Sequence, residues 1–275
     1  MEFNFFSYNG RLKPIAEAVI PLSNIEYSYG FGVYETIRVV KGVPYFLSGH
    51  FSRLQESAKI LSIEHPFTDS VVEKSIMELI EKNGAETYNL KILLIGAPAK
   101  EGAELFIQCL NPHFPDKKLY RDGASFITYT YERTFPQAKT LNMLQSYLAY
   151  REAKRADAYD ALLLNKAGFV TEGTRTNFFC IHERTIVTPP ERDILLGVTR
   201  KAVLKVALEH GFTLEERDIR LNDIQSYDGA FVTSTSSKIV PVREIDGVAV
   251  RECPTALREL MQRYEGFLDT CGGRM

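Results

Sequence analysis

The sequence lacks the cysteine and histidine patterns of metal-binding and disulfide-stabilised proteins. Its four cysteines form no C-x-x-C pair, and its five histidines show no metal-ligand spacing. Thiols placed in this way are typical of reduced proteins, and the histidines predict no zinc site.

Long apolar runs are absent as well. No run approaches the roughly 20 residues that a membrane-spanning helix needs. The first ten residues, MEFNFFSYNG, also lack the basic stretch and the apolar core of a secretory signal. These absences predict a cytoplasmic protein without a membrane partner.

Charge of one sign is not concentrated anywhere in the chain. The formal net charge is -2, and Lys and Arg form no basic run. The composition therefore does not indicate nucleic acid or an anionic membrane as a partner. With 45% apolar and 25% charged residues, a chain of 275 residues can form two domains or one large one.

The first 110 residues mix strand and helix patterns. Alternation in VYETIRVV predicts a strand over residues 33–40, followed after a turn by a second strand over 45–47. Ser48 and Thr68 are placed to cap two helices whose apolar residues recur at helical spacing. Two more strands are predicted, over residues 90–95 and 105–109.

A polar segment, NPHFPDKKLYRDG, occupies residues 111–123 and holds two prolines and a glycine. This composition is typical of a domain boundary. We therefore predict an N-terminal domain over residues 1–117, a linker over 118–123 and a C-terminal domain over 124–275.

The C-terminal part interleaves strand and helix patterns, and strands dominate its middle. This order predicts an α+β fold, with a strand-rich α/β domain as the alternative. The predicted strands are 124–130, 161–165, 177–181, 230–233 and 239–242, and the predicted helices are 142–156, 199–210 and 254–268.

The strand at 33–40 has one polar face. Side chains alternate across a strand, so Tyr34, Thr36 and Arg38 share one face and the intervening residues share the other. A phenol, a hydroxyl and a guanidinium on one face can line a polar pocket or form a solvated edge.

Three further segments are polar where a strand gives way to a turn or a helix. In LGVTR, residues 196–200, Thr199 is either a plain helix cap or a phosphate donor, since a helix N-terminus suits an anion. In TSTSS, residues 233–237, the hydroxyls form a solvated turn or a second set of donors. In TEGTRTN, residues 171–177, Glu172 is either exposed or buried against a cation.

Lys139 lies just before a predicted helix. A lysine there is either solvated or, if partly desolvated, a Schiff-base nucleophile with a lowered pKa. An amine, an acid and a set of anion donors are together what pyridoxal phosphate requires of a protein.

Ordered motifs over residues 25–250 carry a family resemblance. They are YGFGVYETIRV, the H-x-x-R-L of residues 50–54, KTLN, EGTRTNFF, LLGVTR and FVTSTSSKIVPV. In this order they resemble the class IV aminotransferases, the fold-type-IV pyridoxal phosphate enzymes. That family includes branched-chain aminotransferases, D-amino acid aminotransferases and 4-amino-4-deoxychorismate lyases.

The resemblance implies a fold, a cofactor and an activity. The fold has a small N-terminal α/β domain and a larger, strand-rich C-terminal α/β domain that forms a pseudo-barrel. The cofactor is pyridoxal 5′-phosphate, and the assembly is a homodimer. The activity moves an amino group between an amino acid and a 2-keto acid.

The resemblance also implies residue roles. Lys139 is similar to the lysine that forms the Schiff base, and Glu172 to the partner of the ring nitrogen. Tyr34 stands where several members place an active-site tyrosine. The phosphate ligands implied are Arg53, Val198, Thr199 and Thr235.

Substrate choice depends on what holds the substrate carboxylate. The segment GAPAKEGAE, residues 96–104, has none of the Arg and His residues that D-amino acid enzymes carry there. The candidate substrate residues are then Thr36, Arg38, Lys91 and Arg175. Branched-chain and D-amino acid transamination both stay open, as does the lyase reaction that releases pyruvate and 4-aminobenzoate.

Overall fold

The computed structural model describes residues 2–84, 86–112 and 115–271 of the chain. Two compact units emerge. The first includes the described residues of Met1–His113 together with Ala138–Met143, and the second those of Phe114–Gln137 and Leu144–Thr270. The segment with Lys139 therefore packs with the first unit, although it follows the predicted boundary in sequence.

The first unit is a six-stranded antiparallel sheet with helices. Its strand order is β2-β1-β6-β5-β3-β4. The strands are β1 (Phe5–Tyr8), β2 (Arg11–Pro14), β3 (Gly32–Val40), β4 (Val43–Pro44), β5 (Thr87–Ile95) and β6 (Glu104–Leu110), and the helices are α1 (Ile25–Ser28), α2 (Leu47–Ile60) and α3 (Asp69–Asn83).

Helices α2 and α3 cover the apolar face of this sheet. Leu54 of α2 and Ile76 and Leu79 of α3 are buried with Ile37 of β3 and Ile92 of β5. The predicted ends of α3 are confirmed. Thr68 accepts a hydrogen bond from the Val71 N–H, and Gly84 ends the helix in the left-handed conformation.

Two local predictions in this unit are wrong. Residues 45–47 form no strand, because Phe46 has a φ of 56° and Leu47 already begins α2. A left-handed residue interrupts an extended chain, so the second strand is shorter and lies at Val43–Pro44. Ser48 lies inside α2 and does not cap it.

The second unit contains a ten-stranded sheet with four helices packed around it. Its strands are β7 (Ala124–Thr130), β8 (Asp160–Leu164), β9 (Phe169–Gly173), β10 (Asn177–His182), β11 (Thr185–Thr188), β12 (Thr213–Glu216), β13 (Ile219–Arg220), β14 (Gly229–Ser234), β15 (Lys238–Ile245) and β16 (Val248–Ala249). Its helices are α4 (Lys117–Asp122), α5 (Leu144–Arg155), α6 (Val198–Glu209) and α7 (Thr255–Cys271).

Six strands of this sheet close into a ring. The ring runs β10-β14-β15-β7-β8-β9 and returns from β9 to β10 through the pair Glu172 and Asn177. Phe178, Val232 and Val240 are fully buried in its core. The closing pair lies within the polar segment 171–177, so the fold itself places Glu172 in the sheet.

The predicted linker, residues 118–123, is largely helical. Asp116 caps α4 by accepting a hydrogen bond from the Lys118 N–H, and Gly123 ends the helix. A capping Asp and a terminal Gly are enough to fold a short polar segment. Residues 113 and 114 of the predicted boundary lie outside the described part of the chain.

No helix of the described residues is long and apolar enough to cross a membrane. Within the same residues, His, Cys, Asp and Glu side chains form no cluster that could hold a metal ion. The thiols of Cys109, Cys180 and Cys253 are free, and the Cys271 side chain lies outside the described residues.

Candidate active site

The predicted polar face of β3 is confirmed. Tyr34, Thr36 and Arg38 are half-buried, while the residues between them are buried. Thr36 lies directly opposite Lys91 on the neighbouring strand β5. The face therefore brings three of the predicted substrate residues together in the first unit.

Lys139 is anchored through its main chain to helix α2 and strand β3. Its N–H donates to the Ser57 hydroxyl at 3.0 Å, and its carbonyl accepts from the Tyr34 N–H at 2.9 Å. Its Nζ lies 4.4 Å from the centroid of the Tyr34 ring. The ammonium of Lys91 lies 5.7 Å from the same centroid. One tyrosine ring thus contacts both lysines.

A pocket of about 590 Å³ opens beside this tyrosine. Lys91 and Tyr34 form part of its polar lining, with Tyr27 and Ser28. The remaining lining is apolar and consists of Ile20, Pro21, Leu22, Leu141 and Met143. The pocket combines one cation with a largely apolar wall.

Arg53 is held by a buried carboxylate that the sequence reasoning missed. Its Nε and Nη2 donate to the two oxygens of Glu35, each at 2.7 Å, and His50 Nδ1 lies 2.7 Å from the same carboxylate. Glu35 points to the core face of β3, and a charge there requires a cationic partner. That requirement, read with the Arg of H-x-x-R-L, is the signal that could have identified the pair.

In the second unit, Glu172 is buried against a cation, as one of its two predicted alternatives required. It is 3% exposed, and Arg133 Nη1 donates to its Oε1 at 2.8 Å. Its Oε2 accepts from the Leu195 N–H at 3.1 Å and from Asn177 Nδ2 at 3.4 Å. Arg133 was not among the predicted site residues, because nothing in its local sequence distinguishes it from a surface arginine.

The segment 196–200 forms the N-terminus of α6. Gly197 is the N-cap and makes no side-chain hydrogen bond, so the interpretation of Thr199 as a plain cap is wrong. Val198 and Thr199 are buried in the first turn, where backbone N–H groups have no helical partner. A Cβ at Gly197 would lie 2.1 Å from Asn177 Oδ1, so only glycine fits there.

The segment 233–237 covers the end of β14 and the turn that leads to β15. Ser234 and Ser237 bond to each other through their hydroxyls at 2.6 Å, as expected of a self-contained turn. Thr235 is half-buried at its tip. The hydroxyl of Thr233 is buried and has no hydrogen-bond partner among the described residues.

Arg175 is exposed in the second unit, and its guanidinium stacks on the Tyr150 ring at 4.1 Å. The neighbouring Thr174 hydroxyl and the Ala161 N–H both donate to Oδ1 of Asp160, which is fully buried on β8. The other oxygen of Asp160, Oδ2, has no hydrogen-bond partner in the described chain. A buried acid thus supports the turn that carries Arg175.

Replacing this acid changes how stability depends on pH. Burial raises the pKa of the Asp160 carboxyl above its ordinary 3.8, although Arg175 and the hydrogen bonds oppose the shift. The folded state then binds the proton more tightly than the unfolded chain, so ionisation costs stability as the pH rises. In urea unfolding, the free energy of unfolding of Asp160→Asn should therefore rise relative to wild type with increasing pH. For Asp223→Asn, at an exposed site, the free energy of unfolding plotted against pH should run parallel to that of wild type. If the curve of Asp160→Asn were parallel as well, the raised pKa of Asp160 would be refuted.

Each unit by itself contains groups of the kinds that pyridoxal phosphate requires. A half-buried amine, Lys139, and an arginine, Arg53, lie in the first unit. A buried carboxylate, Glu172, a helix N-terminus without a side-chain cap, and the unpartnered hydroxyl of Thr233 lie in the second. A carboxylate has about four acceptor positions, so Glu172 can accept from a ring N–H beside the three bonds that it already makes.

Comparison with known proteins agrees with this chemistry. Residues 32–245 match the family described as amino-transferase class IV. The D-alanine aminotransferase of Bacillus licheniformis is 32% identical over 252 residues, which cover 88% of this chain and 89% of that protein.

Solved structures show the same fold. A T.th. branched-chain amino acid aminotransferase with pyridoxamine 5′-phosphate has a TM-score of 0.89 at 28% identity, and the match covers 100% of this chain and 96% of that chain. An Escherichia coli branched-chain amino acid aminotransferase has a TM-score of 0.90 at 24% identity, with 96% of this chain and 94% of that chain covered. The latter likeness establishes the fold alone.

The chain belongs to the class IV aminotransferases and has their fold-type-IV architecture. It is a pyridoxal-phosphate-dependent transaminase. The predicted family, fold class and cofactor are therefore confirmed, and the residue roles stay predictions.

Proposed function

We propose that the protein transfers an amino group from an apolar, branched-chain type of amino acid to a 2-keto acid, with Lys139 as the central residue. The observation that carries this proposal is the fixed position of Lys139, whose main chain is bonded to Ser57 and Tyr34 while its ammonium contacts the Tyr34 ring. Pyridoxal 5′-phosphate, when bound, supplies a reactive aldehyde and a ring that accepts electrons.

Lys139 Nζ performs the proton transfers. With the cofactor bound, Nζ would hold its aldehyde carbon, would accept the Cα proton of the amino acid as general base and would deliver a proton to C4′ of the cofactor. The amino group of the donor would thereby pass to the acceptor keto acid, and the donor would leave as its own keto acid. The anchored main chain of Lys139 would fix the point from which this side chain reaches.

Glu172 holds a proton at the ring nitrogen of the cofactor. Its own pairing with Arg133 and the Leu195 N–H keeps its carboxylate fixed. We assign the phosphate to the Arg53 guanidinium, the backbone of Val198 and the hydroxyls of Thr199 and Thr235.

The pocket beside Tyr34 supports an apolar substrate side chain. Its wall of five apolar residues carries one cation, Lys91, and no carboxylate. We assign the substrate carboxylate to Lys91, with Thr36 and Arg38 on the same face of the sheet. Arg175 remains a candidate from the second unit.

The homodimer stays a prediction, as does the cytoplasmic location. Exposed apolar side chains in the N-terminal segment support a dimer, since Leu22 is 102% and Tyr29 is 79% exposed. An exposed apolar patch is typical of a surface that another chain covers.

A half-reaction screen of the purified holoenzyme tests the substrate. L-leucine, L-glutamate, D-alanine, D-glutamate and aminodeoxychorismate are added one at a time, and the visible absorption of the bound cofactor is followed. We expect L-leucine to convert the cofactor to its pyridoxamine form and to yield the corresponding keto acid. The apolar wall and the missing Arg and His at residues 96–104 are the physical reasons.

The other responses have distinct meanings. Conversion by D-alanine and not by L-leucine would replace our assignment with a D-amino acid transaminase. Reaction of aminodeoxychorismate alone, with release of pyruvate and return of the original absorption, would make the protein a lyase.

A further inference from the structure

The first unit contains a buried charge cluster in which two members, Glu35 and His50, have no role in the proposed reaction. It consists of Glu35 on β3 and of His50 and Arg53 on α2, three residues apart and therefore on one face of that helix. Glu35 and His50 are fully buried, and Arg53 is 9% exposed. All three contacts within the cluster measure 2.7 Å.

The protonation states of the cluster follow from its contacts. Burial alone would raise the pKa of Glu35, but Arg53 and His50 outweigh it and lower the pKa to about 2. Glu35 is thus an ionised acceptor, and His50 must donate from Nδ1. Burial lowers the pKa of His50, so its ring is neutral. The cluster then holds one negative and one positive charge, with no net charge.

Stability by itself is a weak explanation for such a pair. Buried ion pairs generally gain little over apolar residues of the same volume, because both charges lose their hydration. The pair does fix geometry, however. Two parallel bonds from Nε and Nη2 lock the planar guanidinium onto the carboxylate. Neither bond uses Nη1, so this third nitrogen can still donate to a ligand.

We propose that Glu35, braced by His50, is a positioning residue that orients Nη1 of Arg53 toward the phosphate of the cofactor. This inference rests on the proposed function, in which Arg53 binds that phosphate. Arg53 arrives at its ligand with its side chain already immobilised, so binding does not have to order it. Because the cluster has no net charge, Glu35 does not strengthen the attraction between the cluster and the phosphate. Its contribution is the fixed orientation of the Arg53 guanidinium.

The variant Glu35→Gln distinguishes an effect of guanidinium orientation on phosphate binding from an effect of net charge. The substitution adds a net positive charge to the cluster, so attraction by charge alone would tighten phosphate binding. It also breaks the two-bond fork, since the amide nitrogen cannot accept from the guanidinium. Positioning therefore predicts the opposite result, a weakening of pyridoxal 5′-phosphate binding by about tenfold.

The experiment measures dissociation constants of the refilled apoenzyme by absorption titration. Pyridoxal 5′-phosphate is compared with pyridoxal, which has the same aldehyde and no phosphate. Wild type, Glu35→Gln, Arg53→Gln and the double variant are tested. We expect Glu35→Gln to weaken binding of the phosphate ester and to leave pyridoxal unchanged. In the Arg53→Gln background, Glu35→Gln should have no further effect.

Several results would overturn the proposal. If Glu35 had only a general structural role, Glu35→Gln would weaken the binding of both ligands equally. It would also weaken binding in the Arg53→Gln background. Tighter or unchanged binding of the phosphate ester by Glu35→Gln would contradict positioning directly. If Arg53→Gln binds like wild type, the proposal fails together with the phosphate role of Arg53, while the role of Lys139 stands. A wild type that binds neither ligand would instead refute the proposed function.

Glu35→Asp keeps the proposal testable if Glu35→Gln does not fold. It retains the charge that neutralises Arg53 and retracts the carboxylate by one methylene, so the fork cannot form in the same place. Weaker binding of the phosphate ester with unchanged binding of pyridoxal is again the expected result, and unchanged binding of both ligands would overturn it.

Discussion

Lys139→Ala should reduce transamination by at least about 10⁴-fold, the upper range for loss of a positioned acid–base group. The variant loses both the amine that holds the cofactor and the base that moves the Cα proton. The fold should survive, because the bonds to Ser57 and Tyr34 come from the main chain of Lys139. The lost contact with the Tyr34 ring is worth only about 0.5–1 kcal/mol.

The measurement is keto-acid release by the holoenzyme under single-turnover and steady-state conditions. Circular dichroism and thermal unfolding confirm that the variant is folded. Lys59→Ala is the matched control, since Lys59 is an exposed lysine of the same unit. Borohydride reduction of wild type should add the mass of the cofactor to the peptide that contains Lys139. Wild-type turnover by Lys139→Ala would exclude this lysine as the central residue.

Glu172→Gln should lower kcat by about 10²-fold or more, the size of effect found when one preorganised electrostatic partner of the reacting group is removed. An amide keeps the shape of the carboxylate but cannot balance a protonated ring nitrogen. The variant also leaves Arg133 without this partner, which should cost roughly 1–3 kcal/mol of stability. The loss of activity should therefore exceed what the loss of stability explains.

Steady-state kinetics and the absorption spectrum of the bound cofactor test this prediction together. Glu209→Gln provides the control, because Glu209 is exposed at the end of α6. The double variant with Arg133→Gln restores charge neutrality and should recover stability without recovering kcat. If Glu172→Gln kept the wild-type kcat and spectrum, the ring nitrogen would need another partner.

The two variants probe different units of the molecule. Lys139 belongs to the first unit although it follows the linker in sequence, and Glu172 belongs to the second. Main-chain β-pairing positions each of these two residues. Thr140, next to Lys139, bridges to Val33, and Glu172 pairs with Asn177 to close the six-stranded ring.

Short stretches of the chain were enough to predict the family, most elements and the polar face of β3. Strand alternation and helix capping are local properties, so residues 33–40 and the Thr68 cap were predictable without knowledge of the fold. The ordered motifs added the fold class and the cofactor. The strand prediction for residues 45–47 was wrong because of one backbone angle. Phe46 has a left-handed conformation, and α2 begins directly after it.

The pairing of the buried charges, in contrast, depends on the packing of distant elements. Glu35 meets Arg53 from 18 positions away, and Arg133 meets Glu172 from 39 positions away. No local pattern specifies such partners, because an arginine on a loop looks the same whether it is solvated or paired. Burial forces the pairing, since a carboxylate removed from water must find a cation or a set of donors. Which cation it finds depends on which strands and helices pack together.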